Sequence, residues 1–144
     1  MPNNLRQSGR KESVREFILL TLSHAERRNV SKTAVIDRIL LCFSCRSVVV
    51  AKEMHQESGF HYHVGILSRD ASRYTAHKKL RKAFEEFDGA QFHSKFHNGW
   101  GSILNYLTKQ DKEPLVWGEY SLEQIIEIAE ASRNHKKTNP QNKS

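Results

Sequence analysis

Two histidines in segment 60–65, FHYHVG, are the residues of this chain best suited to chemistry. Successive side chains of a β-strand point to opposite faces, so His61 and His63 share a face if this apolar segment is a strand. Two neighbouring imidazoles on one face are the geometry of a divalent-metal site. The segment therefore predicts a metal-binding strand, although a histidine pair at this spacing also occurs without a metal.

A carboxylate for the same site is expected from the preceding strand. Segment 47–54, SVVVAKEM, predicts a strand and segment 56–59, QESG, a turn, so the two strands form a hairpin. If the turn centres on Glu57, then Glu53 lies directly opposite His61 and faces the same way. A two-residue turn would instead send Glu53 to the other face.

The donor types limit which metal such a site prefers. His55 shares the parity of Glu53, lies nearer the turn and is the second candidate ligand. Two imidazoles with one carboxylate and no thiolate favour Mn²⁺ or Mg²⁺, and they leave coordination positions open for water or substrate.

A tyrosine and a lysine lie one helical turn apart further along the chain. Segment 100–110 predicts a helix with an apolar stripe, from whose centre Tyr106 lies roughly 110° away, with Lys109 nearly opposite the stripe. The two side chains are i, i+3 neighbours and can address one ligand. A tyrosine hydroxyl can attack a phosphate covalently, but it needs help because a phenol ionises only near pH ~10. A metal and a lysine ammonium would supply that help. An amphipathic tyrosine with a solvated hydroxyl gives the same pattern.

The charge of the chain favours a polyanionic partner. Its 144 residues carry a formal net charge of +7, and a basic domain of this size suggests nucleic acid. No apolar run approaches the roughly 20 residues of a membrane span, and the polar N-terminus predicts no signal peptide. Cys42 and Cys45 form a lone C-x-x-C without further zinc ligands, so we expect reduced thiols and an intracellular protein that is not secreted.

The remaining patterns predict the fold and its domains. Strands are expected at 16–22, 90–97 and 115–118, and helices from Ser31, at 72–87 and at 121–132. The order predicts an α+β fold, a mainly antiparallel sheet of ferredoxin-like character with helices packed on one face. The expected domain limits are 1–13 for a disordered segment, 14–120 for the domain, and 121–144 for a C-terminal helix with a polar tail or linker.

The motifs resemble those of a known enzyme family. FHYHVG is similar to the His–hydrophobic–His motif of the HUH endonucleases. Segment 52–63, KEMHQESGFHYH, resembles the replication initiators (Rep) of circular single-stranded DNA viruses. In that family a Glu eight residues before the first His completes the metal site, and this position is Glu53, in agreement with the hairpin argument.

Two further segments extend the resemblance over residues 17–118. Segment 17–23, FILLTLS, resembles the first family motif, a strand that ends near Thr21. Segment 105–118, NYLTKQDKEPLVWG, resembles the third motif, Tyr-x-x-Lys. The resemblance implies that Tyr106 is the nucleophile and Lys109 its neighbour, and that Asp111 is an accessory acid.

The resemblance also implies a fold and an activity. It implies a five-stranded antiparallel sheet flanked by helices, as in ferredoxin- and RRM-like folds. The implied activity is nicking of single-stranded DNA at an origin stem-loop, which leaves a 5′-phosphotyrosine and a free 3′-OH that primes rolling-circle synthesis. No G-x-x-x-x-G-K-[ST] motif is present, so a helicase would be a separate domain or partner. The expected location is intracellular, and the host nucleus if the source is a eukaryotic virus.

The candidate DNA contacts are basic or polar side chains near these motifs. They are Thr21, Arg69, Arg73, Lys78, Lys79, Lys95 and His97. The run at 77–82, HKKLRK, fits a solvated helix face as well as a phosphate-binding surface. His24, His77 and His135 are expected to be solvated.

Other functional classes fit parts of the pattern. A non-catalytic single-stranded nucleic-acid-binding module would share the fold, and an HUH transposase of a mobile element would share the motifs. A cupin-like site needs an acid four or five residues after the second His, where this chain has Leu67 and Ser68. A histidine-triad hydrolase needs a third His at position 65, which is Gly65.

Overall fold

The computed structural model describes residues 16–72 and 74–138. Over these residues the chain forms a five-stranded antiparallel sheet and four α-helices. The elements are β1 (Phe17–Leu22), α1 (Lys32–Leu40), β2 (Cys45–Met54), β3 (Phe60–Ser68), α2 (Ala76–Ala83), β4 (Phe92–Phe96), α3 (Trp100–Gln110), β5 (Leu115–Gly118) and α4 (Leu122–Thr138). The expected disordered segment 1–13 lies outside the described residues. Within them, no helix is long and apolar enough to cross a membrane.

The sheet order β4-β1-β3-β2-β5 places the histidine strand at the centre. The loop between β2 and β3 has five residues, 55–59, and is closed by a hydrogen bond from His55 N to Gly59 O of 3.0 Å. This odd number brings Glu53 opposite His61, because the side-chain period of a strand is two. The predicted hairpin register is therefore confirmed.

Helices cover both faces of the sheet. Even-numbered strand residues such as Leu20 and Val64 pack with α1 and α2 in one core, whereas odd-numbered ones such as Val49 and Ala51 pack with α3 and α4 in a second core. The expectation of helices on one face was wrong. An amphipathic helix shows that it buries a stripe, but the stripe does not encode which face of the sheet it covers.

Two helices, α2 and α4, have bounds that differ from those predicted from the sequence. The predicted helix 72–87 is shorter, at Ala76–Ala83, although Phe84 and Phe87 beyond its end are fully buried. Helix α4 runs on to Thr138, so much of the expected polar tail is helical, and residues 139–144 lie outside the described part. A capping box begins this helix, with hydrogen bonds from Ser121 N to Gln124 Oε1 and from Gln124 N to Ser121 Oγ.

Helix α3 lies unusually close to β3 at Gly65. A Cβ atom at this position would lie 2.8 Å from Ile103 Cγ2 and 3.3 Å from Trp100 Cζ3. Real Cβ atoms do not approach this closely, so the missing side chain lets the helix rest on the strand. Gly65 has the parity of His63, and the close contact therefore sets the height of α3 above the histidine face.

Candidate functional site

Four elements bring the candidate residues to one face of the sheet. His61 and His63 come from β3, Glu53 from β2 and Thr21 from β1. The register pairs His63 with Thr21 on one side and aligns Glu53 with His61 on the other. All four residues are odd-numbered, like the residues of β1, β2 and β3 that pack against α3 and α4. The fifth residue, Tyr106, is on α3 and reaches the site from above.

His63 is held at both ring nitrogens. Its Nε2 lies 2.7 Å from Glu53 Oε1, and its Nδ1 lies 3.3 Å from Thr21 Oγ1. The His63 ring is buried at 4% exposure, while the Glu53 side chain is 41% exposed. With Nε2–H donating to Glu53, the threonine hydroxyl donates to Nδ1. If Nε2 instead binds an ion, the same hydroxyl can accept from Nδ1–H.

Tyr106 packs its ring against His63. The ring centroids are 5.2 Å apart and the planes meet at 77°. Tyr106 is 40% exposed, so part of its side chain is reachable from solvent while its ring packs on His63 of β3. Lys109 is exposed on the next turn of the helix. Both placements agree with the helical geometry predicted from the sequence.

His61 belongs to a second group of imidazoles. Its Nδ1 lies 2.9 Å from His55 Nε2, and the backbone N–H of His24 points to the same nitrogen at 3.4 Å. Burial lowers the pKa of His61, and the neighbouring imidazoles of His55 and His63 lower it further. The ring is therefore favoured in its neutral form, which is the form that binds metals.

His24 was missed by the sequence analysis, which expected it to be solvated. Its ring centroid lies 5.1 Å from that of His55 and 5.9 Å from that of His61. The residue adopts a left-handed backbone with φ 54° directly after β1. The β1–β3 register, extended by two residues, would have placed His24 next to the start of β3. The sequence near His24 does not show that β1 pairs with β3, so it could not indicate that His24 lies beside His55 and His61.

The donor set fits Mn²⁺ or Mg²⁺ in kind. One carboxylate and two or three imidazoles lie close together, and the 2.7 Å between His63 Nε2 and Glu53 Oε1 is near the ~3 Å that separates neighbouring ligands on a small divalent ion. As the side chains stand, no three His, Cys, Asp or Glu residues in the described part of the chain are arranged to hold an ion. The candidate ligands instead form two hydrogen-bonded pairs, one of His63 with Glu53 and one of His61 with His55.

Asp111 lies at the C-terminal end of α3 and binds protein groups. Its Oδ2 accepts from Lys32 Nζ and from the backbone N–H of Lys52, both at 2.8 Å. Its Oδ1 accepts from the backbone N–H of Glu113 at 2.9 Å. Burial alone would raise the pKa of Asp111, but these hydrogen bonds outweigh it and hold the pKa below its usual range. Lys32, the charged partner, was not singled out from the sequence.

Two of the expected DNA contacts lie beside Tyr106. Lys95 and His97 line a cavity of about 550 Å³ between β4, β1 and the start of α3, and Tyr106 forms part of its wall. Leu19 and Ile103 supply its apolar surface. Burial lowers the pKa of His97, and Lys95 lowers it further. The cavity therefore combines the apolar side chains of Leu19 and Ile103 with a lysine and a histidine, and Tyr106 is on its wall.

The other expected DNA contacts lie elsewhere. Arg69 follows the far end of β3, roughly 26 Å along the strand from His61, and its Nη2 donates to Glu119 Oε2 at 2.9 Å. Lys78 and Lys79 are exposed on α2, which covers the opposite face of the sheet. Arg73 lies outside the described residues. Of these, the three described side chains are not brought to the histidine face.

Comparison with known proteins adds no identification. No protein-family model matches the chain, and no curated protein is similar to it at a significant level. The family resemblance of the motifs thus stays a prediction, and function is inferred from the side chains described above.

Proposed function

We propose that this protein is a metal-dependent, single-tyrosine HUH endonuclease and strand transferase that acts on single-stranded DNA. One observation carries the proposal: a partly exposed tyrosine from α3 packs on His63, whose Nε2 contacts Glu53 from the neighbouring strand. Tyr106 and Glu53 are 53 positions apart in the chain. Both nevertheless meet at His63 on one face of the sheet.

Tyr106 attacks a phosphodiester in the proposed reaction. A bond forms between its phenolic oxygen and phosphorus as the bond from phosphorus to the 3′-oxygen breaks. The phenol loses its proton, and the departing 3′-oxygen gains one. The products are a 5′-phosphotyrosine and a free 3′-OH. One phosphodiester is exchanged for another, so the same site can rejoin ends by the reverse reaction.

The site offers ligands for a divalent ion. His61, His63 and Glu53 would hold Mn²⁺ or Mg²⁺, with His55 adjacent to His61. When bound, such an ion would polarise a non-bridging phosphate oxygen. Thr21 fixes the orientation of the His63 ring through Nδ1.

The surroundings of Tyr106 suit a single strand of nucleic acid. The exposed ammonium of Lys109 lies one turn from Tyr106 and can stabilise developing negative charge. The cavity with Lys95 and His97 offers the apolar side chains of Leu19 and Ile103 to a base and a lysine ammonium to a phosphate. We infer single-stranded DNA as substrate, an origin stem-loop as its natural form, and a separate helicase as partner. Rolling-circle replication inside a cell is the process that this chemistry serves.

Covalent capture of DNA tests the proposal. The protein is mixed with a pool of single-stranded oligonucleotides and Mn²⁺ and analysed on a denaturing gel, with and without chelator. We expect a protein–DNA band that chelator abolishes. Tyr106→Phe should lose the band while its DNA dissociation constant changes by less than about threefold, because only the nucleophilic oxygen is removed. Tyr74→Phe is the matched control, since Tyr74 is 78% exposed and lies outside the site.

The opposite outcomes separate the rival functions. An adduct that persists in excess chelator would reject the metal mechanism. An adduct that persists in Tyr106→Phe would reject the nucleophile. Tight DNA binding with no adduct under any condition would reject catalysis and favour a non-catalytic binding module. The double variant His61→Ala with His63→Ala should lose cleavage and Mn²⁺ binding together.

A further inference from the structure

The carboxylate of Asp111 connects three elements of the fold. The residue follows α3 with an extended backbone, and its own N–H closes the last turn on Leu107 O at 3.1 Å. Its side chain, only 14% exposed, reaches β2 at the backbone of Lys52 and α1 at Lys32 Nζ. The three acceptor contacts of 2.8–2.9 Å use both carboxylate oxygens. Such a charge-assisted arrangement is geometrically demanding.

Lys52 lies in the part of β2 that extends beyond its pairing with β5. The pairing of β5 with β2 ends at Val50 opposite Leu115, yet β2 continues to Met54. The backbone N–H of Lys52 is the next donor on that edge, and it would lack a strand partner. Asp111 accepts from it instead, so a side chain completes the ladder directly before Glu53.

We propose that Asp111 is a positioning residue that sets Tyr106 against the metal strand, an inference that rests on the proposed function. Asp111 follows the nucleophile Tyr106 by five residues, directly after the C-terminal end of α3. It accepts a hydrogen bond from the backbone N–H of Lys52, the residue before the metal carboxylate. The Asp111 side chain thus ties the end of the helix that carries the nucleophile to the strand that carries the metal carboxylate. Lys32 holds that side chain in place through the ion pair. The assignment differs from that of a metal ligand, because both oxygens are already used.

Positioning predicts a loss in rate without a loss in binding. Asp111→Ala should reduce the rate of adduct formation at saturating DNA and Mn²⁺ by at least about tenfold, because small displacements of a reacting group are costly. DNA affinity, measured in the Tyr106→Phe background, should change by less than about threefold. Asp111→Asn keeps one acceptor oxygen, so its rate of adduct formation should lie between those of the parent and of Asp111→Ala. Lys32→Met should lose less than Asp111→Ala, since the bond to Lys52 survives.

Amide hydrogen exchange gives a readout that does not depend on activity. In Asp111→Ala the Lys52 N–H should exchange faster by about tenfold or more, while the Val50 N–H inside the ladder stays protected. Glu113→Gln is the matched control, because it removes a neighbouring exposed acid whose side chain makes none of these contacts. This variant should match the parent in exchange and in rate.

The outcomes are distinguishable. If the parent chain forms no adduct, the proposed function fails, while the exchange experiment still tests the contact. If exchange at Lys52 is unchanged in Asp111→Ala, the contact itself is refuted. If exchange rises but the rate at saturation stays at the parent value, or binding and rate fall equally, Asp111 serves stability and not positioning. Should Asp111→Ala fail to fold, Asp111→Asn and Lys32→Met answer the same question.

Discussion

Gly65→Ala should displace the helix that carries Tyr106. The added Cβ would lie 2.8 Å from Ile103 Cγ2, so the two elements must separate by about 0.6 Å to reach an ordinary van der Waals contact. The backbone of Gly65 has no positive φ, so the effect comes from crowding alone. Ile103 precedes Tyr106 by one helical turn, and a shift of the helix therefore changes the position of the tyrosine over His63.

The expected magnitudes follow from overpacking. Inserting a methyl group into a filled contact costs about 1–3 kcal/mol, and replacing a strand glycine returns about 0.5–1 kcal/mol of that cost. The net cost is then about 0–2.5 kcal/mol, so the melting temperature should fall by up to about 10 °C in a chain of this size. The adduct rate at saturating DNA should fall by about tenfold or more, because a displacement near 1 Å can cost about a hundredfold.

Two measurements check the crowding argument. Circular dichroism on heating gives the melting temperature, and the denaturing gel gives the adduct rate at a temperature where both proteins are folded. Gly99→Ser is the control for stability only, because Gly99 lines the cavity beside Tyr106, while a Cβ there meets nothing within 4 Å and serine is favoured at a helix N-cap. A Gly65→Ala protein with parental stability and parental rate would refute the claim that this contact sets the height of α3.

Three further predictions follow from single contacts. Thr21→Val removes the hydroxyl at His63 Nδ1, so Mn²⁺ affinity measured by calorimetry should fall by about tenfold or more; unchanged affinity would show that Thr21 does not orient the ring. Hydrogen bonds hold the pKa of Asp111 down against the effect of burial, so its stabilising contribution is present above the unfolded pKa of ~4 and is lost as pH falls through the lower folded value. The melting temperature should therefore drop more steeply below about pH 4 in the parent than in Asp111→Asn, and parallel curves would contradict this. Burial raises the pKa of Cys45 to about 12, and Cys42 is the more exposed of these two free thiols. Iodoacetamide should therefore alkylate Cys42 first by mass spectrometry; earlier labelling of Cys45 would mean that its strand opens readily.

The site residues that share one strand or one helix could be predicted from the sequence. A period of two placed His61 and His63 together, and Glu53 was expected opposite His61 if the loop had an odd number of residues, which the five-residue loop confirms. A period of 3.6 gave helix α3 its observed bounds, Trp100–Gln110, and put Tyr106 at the edge of its buried stripe. These features are local, since they depend on backbone geometry and on residues close in the chain.

Contacts between distant segments could not be predicted in this way. The approach of His24 to His61 spans 37 positions, and the ion pair of Lys32 with Asp111 spans 79. No periodicity links such residues, because each contact depends on which strands pair and on how loops leave the sheet. Arg69 was placed with the DNA contacts because it follows the histidine strand in the chain, although eight residues of extended strand already put it roughly 26 Å from His61.

The sequence by itself determined which chemical groups share a strand face or a helix face, because those periodicities are properties of the backbone. Only the tertiary structure decided that α3 lies on the histidine face while α1 and α2 lie on the other. The hydrophobic stripe of a helix is satisfied on either face, so local patterning leaves that choice open. The choice is made by nonlocal packing, where Gly65 admits α3 and Asp111 holds its end against β2.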